Sequence, residues 1–204
     1  FAIFFPLVFV AGWELRGRKV ARKWLLLGAS YVFYGWWDWR FCFLLLLASL
    51  VAWVAGLAQR DAANRGVVAL AVTLLLGILA VFKYYGFFLQ SLQDGLFALG
   101  LQRDLPFMQI VLPVGISFFT FQAISYVVDG YRRKVEARRA PLDVLLYIAL
   151  FPQLVAGPIV RAADFLPQLE RRAELIRAAI ANGFTLIAFG LFKKMVVANY
   201  LAVD

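Results

Sequence analysis

A polytopic all-α membrane fold is what this sequence predicts, and three observations predict it. Hydrophobic residues fill 64% of the 204 positions and charged residues only 16%, more apolar surface than a water-soluble domain of this size can hide. The apolar residues gather in long runs, and the Lys and Arg residues stand in short clusters between those runs. A crossing helix needs about 20 apolar residues to traverse a hydrocarbon core about 30 Å thick, so run length and cluster position define the elements.

The runs lie at 1–12, 24–37, 41–57, 66–82, 110–128, 142–160 and 178–192. They make about six to seven membrane segments, because the second and the last cross only if their flanks join in. The first run lacks the basic head, short apolar stretch and small-residue cleavage site of a removable signal peptide, so it reads as a span that has been cut. The last is followed by Lys193, Lys194 and the final Asp204. Residues 1–204 therefore read as the N-terminal part of one transmembrane domain, truncated at both ends. No internal repeat or low-complexity linker divides them.

Topology follows from charge. The loops at 13–23, 58–65 and 129–141 hold twelve Lys and Arg residues, whereas the two loops between them hold only Arg40, Lys83 and Arg103. The positive-inside rule puts the three rich loops in the cytoplasm and the cluster Tyr31, Tyr34, Trp36, Trp37 and Trp39 at the outer interface. The formal charge of +9 is thereby accounted for without nucleic acid as a partner. Membrane lipid is the partner it implies.

Past residue 141 a simple crossing would leave Arg161, Arg171, Arg172 and Arg177 outside, against that rule. The run 142–160 is also interrupted by Pro152, Gln153, Gly157 and Pro158. Broken backbone at membrane depth is tolerated only against protein or a wet cavity, so a re-entrant segment returning to the cytoplasmic side is expected here. Asp164 can cap the following helix, in which Leu166, Leu169, Ala173, Ile176 and Ile180 recur at helical spacing. That pattern fits a helix lying in the membrane plane or one packed on protein.

Candidate functional residues fall in two stretches. In 110–129, at 100° per residue, Gln122, Ser125, Tyr126 and Asp129 share one face with Gly115 and Phe118 in line above them, while Ser117 and Thr120 point elsewhere. A polar stripe on a membrane helix faces protein or water rather than lipid: either the wall of an aqueous path or an interhelical hydrogen-bonding face. Ser117 and Thr120 are expected to bond back to their own helix carbonyls. In 151–161, Gly157 and Pro158 bend the chain, Gln153 offers donor and acceptor groups at depth, and Arg161 supplies a planar cationic fork. A kinked helix end with a snorkelling Arg would look the same.

No catalytic constellation is complete. There is no histidine, and the one cysteine, Cys42, stands in an apolar run, so no imidazole base, disulfide framework or His-type zinc site is available. No catalytic residue and no metal site are read.

Five stretches together resemble the bacterial branch of the membrane-bound O-acyltransferases, which includes alginate O-acetyltransferases and the D-alanyl transferase of teichoic acids. They are LLLGASYVFYGWWDWRF at 25–41, VFKYYGFF at 81–88, LPVGISFFTFQAISYVVDGYRRKV at 112–135, FPQLVAGPIVRAADFLPQL at 151–169 and GLFKKMVVANYLA at 190–202. The resemblance implies an integral helical enzyme of the bacterial inner membrane that transfers an acyl group from a cytoplasmic donor to a hydroxyl. It implies acetyl-CoA as donor, an exported polysaccharide such as alginate as acceptor, and periplasmic polysaccharide-acetylation proteins as partners. It also places the active-site histidine further along the chain than the GLFKK-like block, so none is carried over and the piece alone is expected to be inactive. The composition and the polar stripe would equally suit a channel, a transporter or a non-catalytic scaffold of an envelope-polymer assembly.

Overall fold

The computed structural model describes residues 3–98, 112–154, 157–171, 177–198 and 200. Every regular element among them is helical, and they fall into two units divided at Arg171 and Arg172.

In the first unit α1 (Phe4–Glu14), α2 (Lys19–Gly35), α3 (Arg40–Ala58), α4 (Arg65–Ala98) and α5 (Ile116–Tyr131) run alternately up and down. The three basic loops meet at one end of this bundle, the near face. There Arg133 Nη1 donates to the Arg60 carbonyl at 2.8 Å, Arg65 Nε donates to the Tyr131 hydroxyl at 3.1 Å, and Lys23 pairs with Asp143 at 2.6 Å. At the far face the Tyr34 hydroxyl donates to the Val114 carbonyl at 2.9 Å, and the α2–α3 turn leaves Trp36, Trp37 and Trp39 exposed. Hydrogen bonds from the Arg40 guanidinium and backbone N–H hold the Asp38 carboxyl in that turn below the usual carboxylate range.

α3 is central because its sequence alternates bulk with small residues. Leu45, Ala48, Ser49 and Ala52 are fully buried, and small residues let helix backbones approach closely. Gly56 carries this furthest: a Cβ there would stand 2.8 Å from the Tyr126 ring.

Two boundaries differ from the sequence reading. α4 does not end at 82; Lys83 lies inside a helix of 34 residues that continues to Ala98. The segment 83–98 contains no proline to stop it, and its glycines cost only about 1 kcal/mol each. The buried residues of α4, Ala71, Leu75 and Leu79, all lie in its first half. α5 starts at Ile116 rather than 110, because Gly115 stands in the left-handed region at φ 78° just before it. Residues 110 and 111 lie outside the described residues.

The end of α5 is unusual. Lys134 N–H donates to the Asp129 carbonyl and Arg133 N–H to the Gly130 carbonyl, the paired bonds of a Schellman cap, in which the left-handed position normally belongs to glycine. Here it is Arg133, at φ 58°, a conformation costing a side-chain-bearing residue about 1–2 kcal/mol.

The described residues of 141–171 form a helical hairpin. α6 (Pro141–Ala149) enters from the near face, Leu150 turns extended, α7 (Phe151–Leu154) adds one turn, and α8 (Ala162–Glu170) returns. Both ends are tied to the near face: Asp143 to Lys23, and Glu170 to Arg138. Arg22 Nη2 also donates to the Leu169 and Arg171 carbonyls at 3.2 Å each. The tip reaches the level of Ser30, seven residues or about 10 Å along α2 from Lys23, where Phe151 packs against Phe4 and Phe33. The expected return to the starting side is thus found in the bundle. The reading of α8 is corrected: it ends at Glu170, Asp164 lies within its first turn with Arg161 at the cap, and Arg171 is extended. Of the proposed apolar face, Leu166 and Leu169 are buried, Ala173 and Ile176 lie outside the described residues, and Ile180 belongs to the next unit.

In the second unit α9 (Arg177–Phe192) passes into π-helical turns over Lys193–Ala198. Lys193 Nζ sits 4.4 Å over the Phe189 ring. Among the described residues, three helical stretches are long and apolar enough to cross a membrane by length and composition: Arg40–Ala58, Arg65–Ala98 and Ala179–Ala198. α1, α2 and α5, at 11, 17 and 16 residues, are shorter than that.

Candidate functional site

The break between α6 and α7 sets a problem in hydrogen bonding, and its solution builds the site. In a continuous helix Pro152 would meet the carbonyl of Ile148 and could give it no N–H, so the helix stops at Ala149. The Phe151 N–H, which would otherwise close on the Tyr147 carbonyl, donates to Ser30 Oγ at 3.1 Å. Ser30 in turn donates to the Leu26 carbonyl at 2.7 Å. The Tyr147 carbonyl is taken up by two amides, Gln122 Nε2 at 2.7 Å and Gln153 Nε2 at 2.8 Å. Buried backbone groups must be paired in this way.

Tyr147 is therefore the hub. Its hydroxyl donates to the Val160 carbonyl at 2.7 Å, holding the outgoing strand of the hairpin. Its ring packs between Tyr126 and Phe165, with centroids at 6.3 and 5.5 Å. Ser125 and Asp129 stand beside it on α5. Four of the sequence-predicted residues, Gln122, Ser125, Tyr126 and Asp129, thus share one face as expected, and that face meets α6. Phe118 does not join it, being 39% exposed; Phe119 occupies the buried face instead.

Tyr126 is buried, and its hydroxyl accepts the Arg138 N–H at 3.2 Å. Gly157 lies so close to Gln153 that a Cβ would come within 2.4 Å of its Cα. Pro158 and Arg161 are exposed, so the structure separates them from the buried hub. Thr120 corrects an expectation: its hydroxyl is fully buried and makes no hydrogen bond to its own helix or to any other described residue.

Sequence reasoning missed Tyr147, Ser30 and the Lys23–Asp143 pair. Ser30 had no signal, since a serine in an apolar helix usually bonds to its own backbone. Chemically the hub supplies fixed donors and acceptors and no paired acid and base. Among the described residues no group of three His, Cys, Asp or Glu could hold a metal.

A helical membrane protein, with a broken hairpin held inside its bundle by side-chain amides, is the class that fold and hub define. The chain is 39% identical to the probable alginate O-acetylase AlgI of Pseudomonas aeruginosa over 98% of its own length and 39% of that protein's. It is 36% identical to the Pseudomonas putida protein of the same name, over 98% of this chain and 42% of that one. It is 31% identical to the peptidoglycan O-acetyltransferase of Helicobacter pylori, over 89% of this chain and 39% of that one. It spans about two fifths of the length of the curated relatives it matches. No family model and no solved structure matches it. Over nearly its whole length the chain is similar to the membrane-bound O-acyltransferases of the alginate O-acetylase type.

Proposed function

We propose that the whole protein transfers acetyl groups from acetyl-CoA to hydroxyls of an exported polysaccharide, and that residues 1–204 form the front portion of its single transmembrane domain. The names of the relatives support this reading, as does the observation on which it chiefly rests: a hairpin broken inside the bundle with its backbone polar groups secured. Such a hairpin is stable at membrane depth only against protein or a wet path. The protein then crosses the bacterial inner membrane in about six to seven segments, near face to the cytoplasm. It works with periplasmic polysaccharide-acetylation proteins, and the tip around 151–161 borders the route of donor or acceptor.

The roles divide by burial. Gln122, Tyr126 and Gln153 hold the wall, with Ser125 and Asp129 beside them. Pro158 and Arg161 form its exposed edge next to the half-buried Gly157, and there the Arg161 fork steers an anionic group of the substrate. Full-length protein is assayed for acetyl transfer per folded molecule with Arg161→Ala, Arg161→Lys and Gln153→Ala. Losses on the order of tenfold at unchanged membrane yield are expected. Equal specific activity in all three would leave the segment a structural kink. Residues 1–204 expressed alone are expected to transfer nothing, and acetyl transfer by that piece would move the chemistry elsewhere.

A further inference from the structure

On the near face, between the α3–α4 turn and the end of α5, lies a cavity of about 300 Å³ lined in part by Gly56, Gln59, Arg60, Asp61, Arg133 and Glu136. None of these six belongs to the Tyr147 hub. Gln59 is 2% exposed; its Nε2 donates back to the Ala55 carbonyl at 3.0 Å, and its Oε1 has no partner. A buried amide oxygen bordering a cavity and lacking a donor is the mark of a place where a donor belongs.

The mouth carries two guanidinium groups and two carboxylates, and among the described residues none of the four is ion-paired. Arg133 is the residue that takes the left-handed position glycine would fill without strain. A side chain held where the backbone resists it points to use of that side chain: one guanidinium N–H bonds the Arg60 carbonyl, and the fork carries further donors.

We propose that this cavity binds a zwitterionic aminoalkyl phosphate, its ammonium inward on Gln59 Oε1 with Asp61 and Glu136, its phosphate on Arg60 and Arg133. The lining decides the class. Its formal charge is zero, so a multiply anionic ligand such as a nucleotide diphosphate would face two carboxylates. An uncharged polyol would make no use of the four charges. An ammonium brings donors and no acceptor, which suits an unpaired amide oxygen flanked by carboxylates. Either a phosphatidylethanolamine headgroup or free O-phosphoethanolamine offers this chemistry.

The test uses full-length protein in detergent and follows its unfolding midpoint with phosphatidylethanolamine, phosphatidylglycerol, free O-phosphoethanolamine or ADP. Phosphatidylethanolamine or free O-phosphoethanolamine is expected to raise the midpoint saturably; a response to the lipid alone identifies a headgroup, and a response to both identifies the headgroup chemistry. Arg133→Gly is expected to fold as well as wild type while weakening binding at least tenfold. Gln59→Leu is expected to weaken it similarly, and Gln59→Glu, which keeps the acceptor, to retain it. An equal response to phosphatidylglycerol, a response to ADP alone, no response to any of the four, or unchanged affinity in both Arg133→Gly and Gln59→Leu overturns the proposal.

Discussion

Two amides on one carbonyl make the hub at Tyr147 robust to single changes and fragile to paired ones. Gln122→Leu or Gln153→Leu removes one of two bonds to the same oxygen and is expected to cost about 1 kcal/mol. The double substitution leaves that oxygen buried and unpaired, adding a penalty of about 1–3 kcal/mol. Stability therefore falls by more than the sum of the single effects, and a double-mutant cycle on thermal unfolding in detergent reads the excess. Strict additivity would show that the two amides do not share the acceptor. From the sequence, helical spacing put Gln122 on the polar face of α5 and polarity at depth singled out Gln153, but nothing in spacing alone says that both serve one atom, the Tyr147 carbonyl, 25 positions from the first and 6 from the second. That assignment depends on where the hairpin folds back.

At the scale of elements, the hairpin 141–171 begins and ends at the same face because its two arms are pinned there by Lys23, Arg138 and Arg22. Single cysteines at Ala62, Val135 and Arg171 in a Cys42→Ser background are therefore expected to share one labelling side, with Asp38→Cys reacting from the other. An impermeant thiol reagent applied from outside the cell should reach only position 38. Labelling at 171 from outside would mean that α8 does not return. The return was legible in the sequence from the prolines of 142–160 and from the arginines that a crossing would strand. The end of α8 was not, because Ala173, Ile176 and Ile180 continue its apolar spacing in the sequence, whereas the backbone turns extended at Arg171. The length of α4 was hidden in a similar way: Lys83 looked like a loop residue, yet one lysine without a proline does not end a helix.

For the molecule as a whole, charge sorting set the architecture that composition could only suggest. Loops grouped by their basic residues do meet in space, and the Lys23–Asp143 pair joins the first of them to the hairpin with both side chains nearly buried, 13% and 10% exposed. Removing one partner leaves the other charge poorly solvated, so Asp143→Ala is expected to destabilise by about 3–5 kcal/mol. The combined Lys23→Met and Asp143→Leu protein is expected to recover most of that loss, as measured by unfolding temperature in the same detergent. A double variant no better than Asp143→Ala alone would show that the pair contributes through attraction rather than mutual neutralisation. The pair itself could not be read from sequence, since its members stand 120 positions apart with no shared periodicity.

The hairpin also bears on the order of biogenesis. Its arms α6 and α8 have nine residues each, about 14 Å of helix, too little for a translocon to release sideways as a span. Yet Lys23, Ser30 and Gln122, the groups that receive it, all emerge from the ribosome before Pro141 does. The cradle is in place when the guest arrives, and insertion can proceed as docking onto helices already delivered to the bilayer, consistent with folding from the N-terminus during synthesis. Ribosome-stalled chains carried about 40 residues past Arg171 should then protect the 151–161 tip from protease. Deleting α2 should expose the tip at the same chain length, whereas equal protection with and without α2 would mean that the hairpin enters by itself.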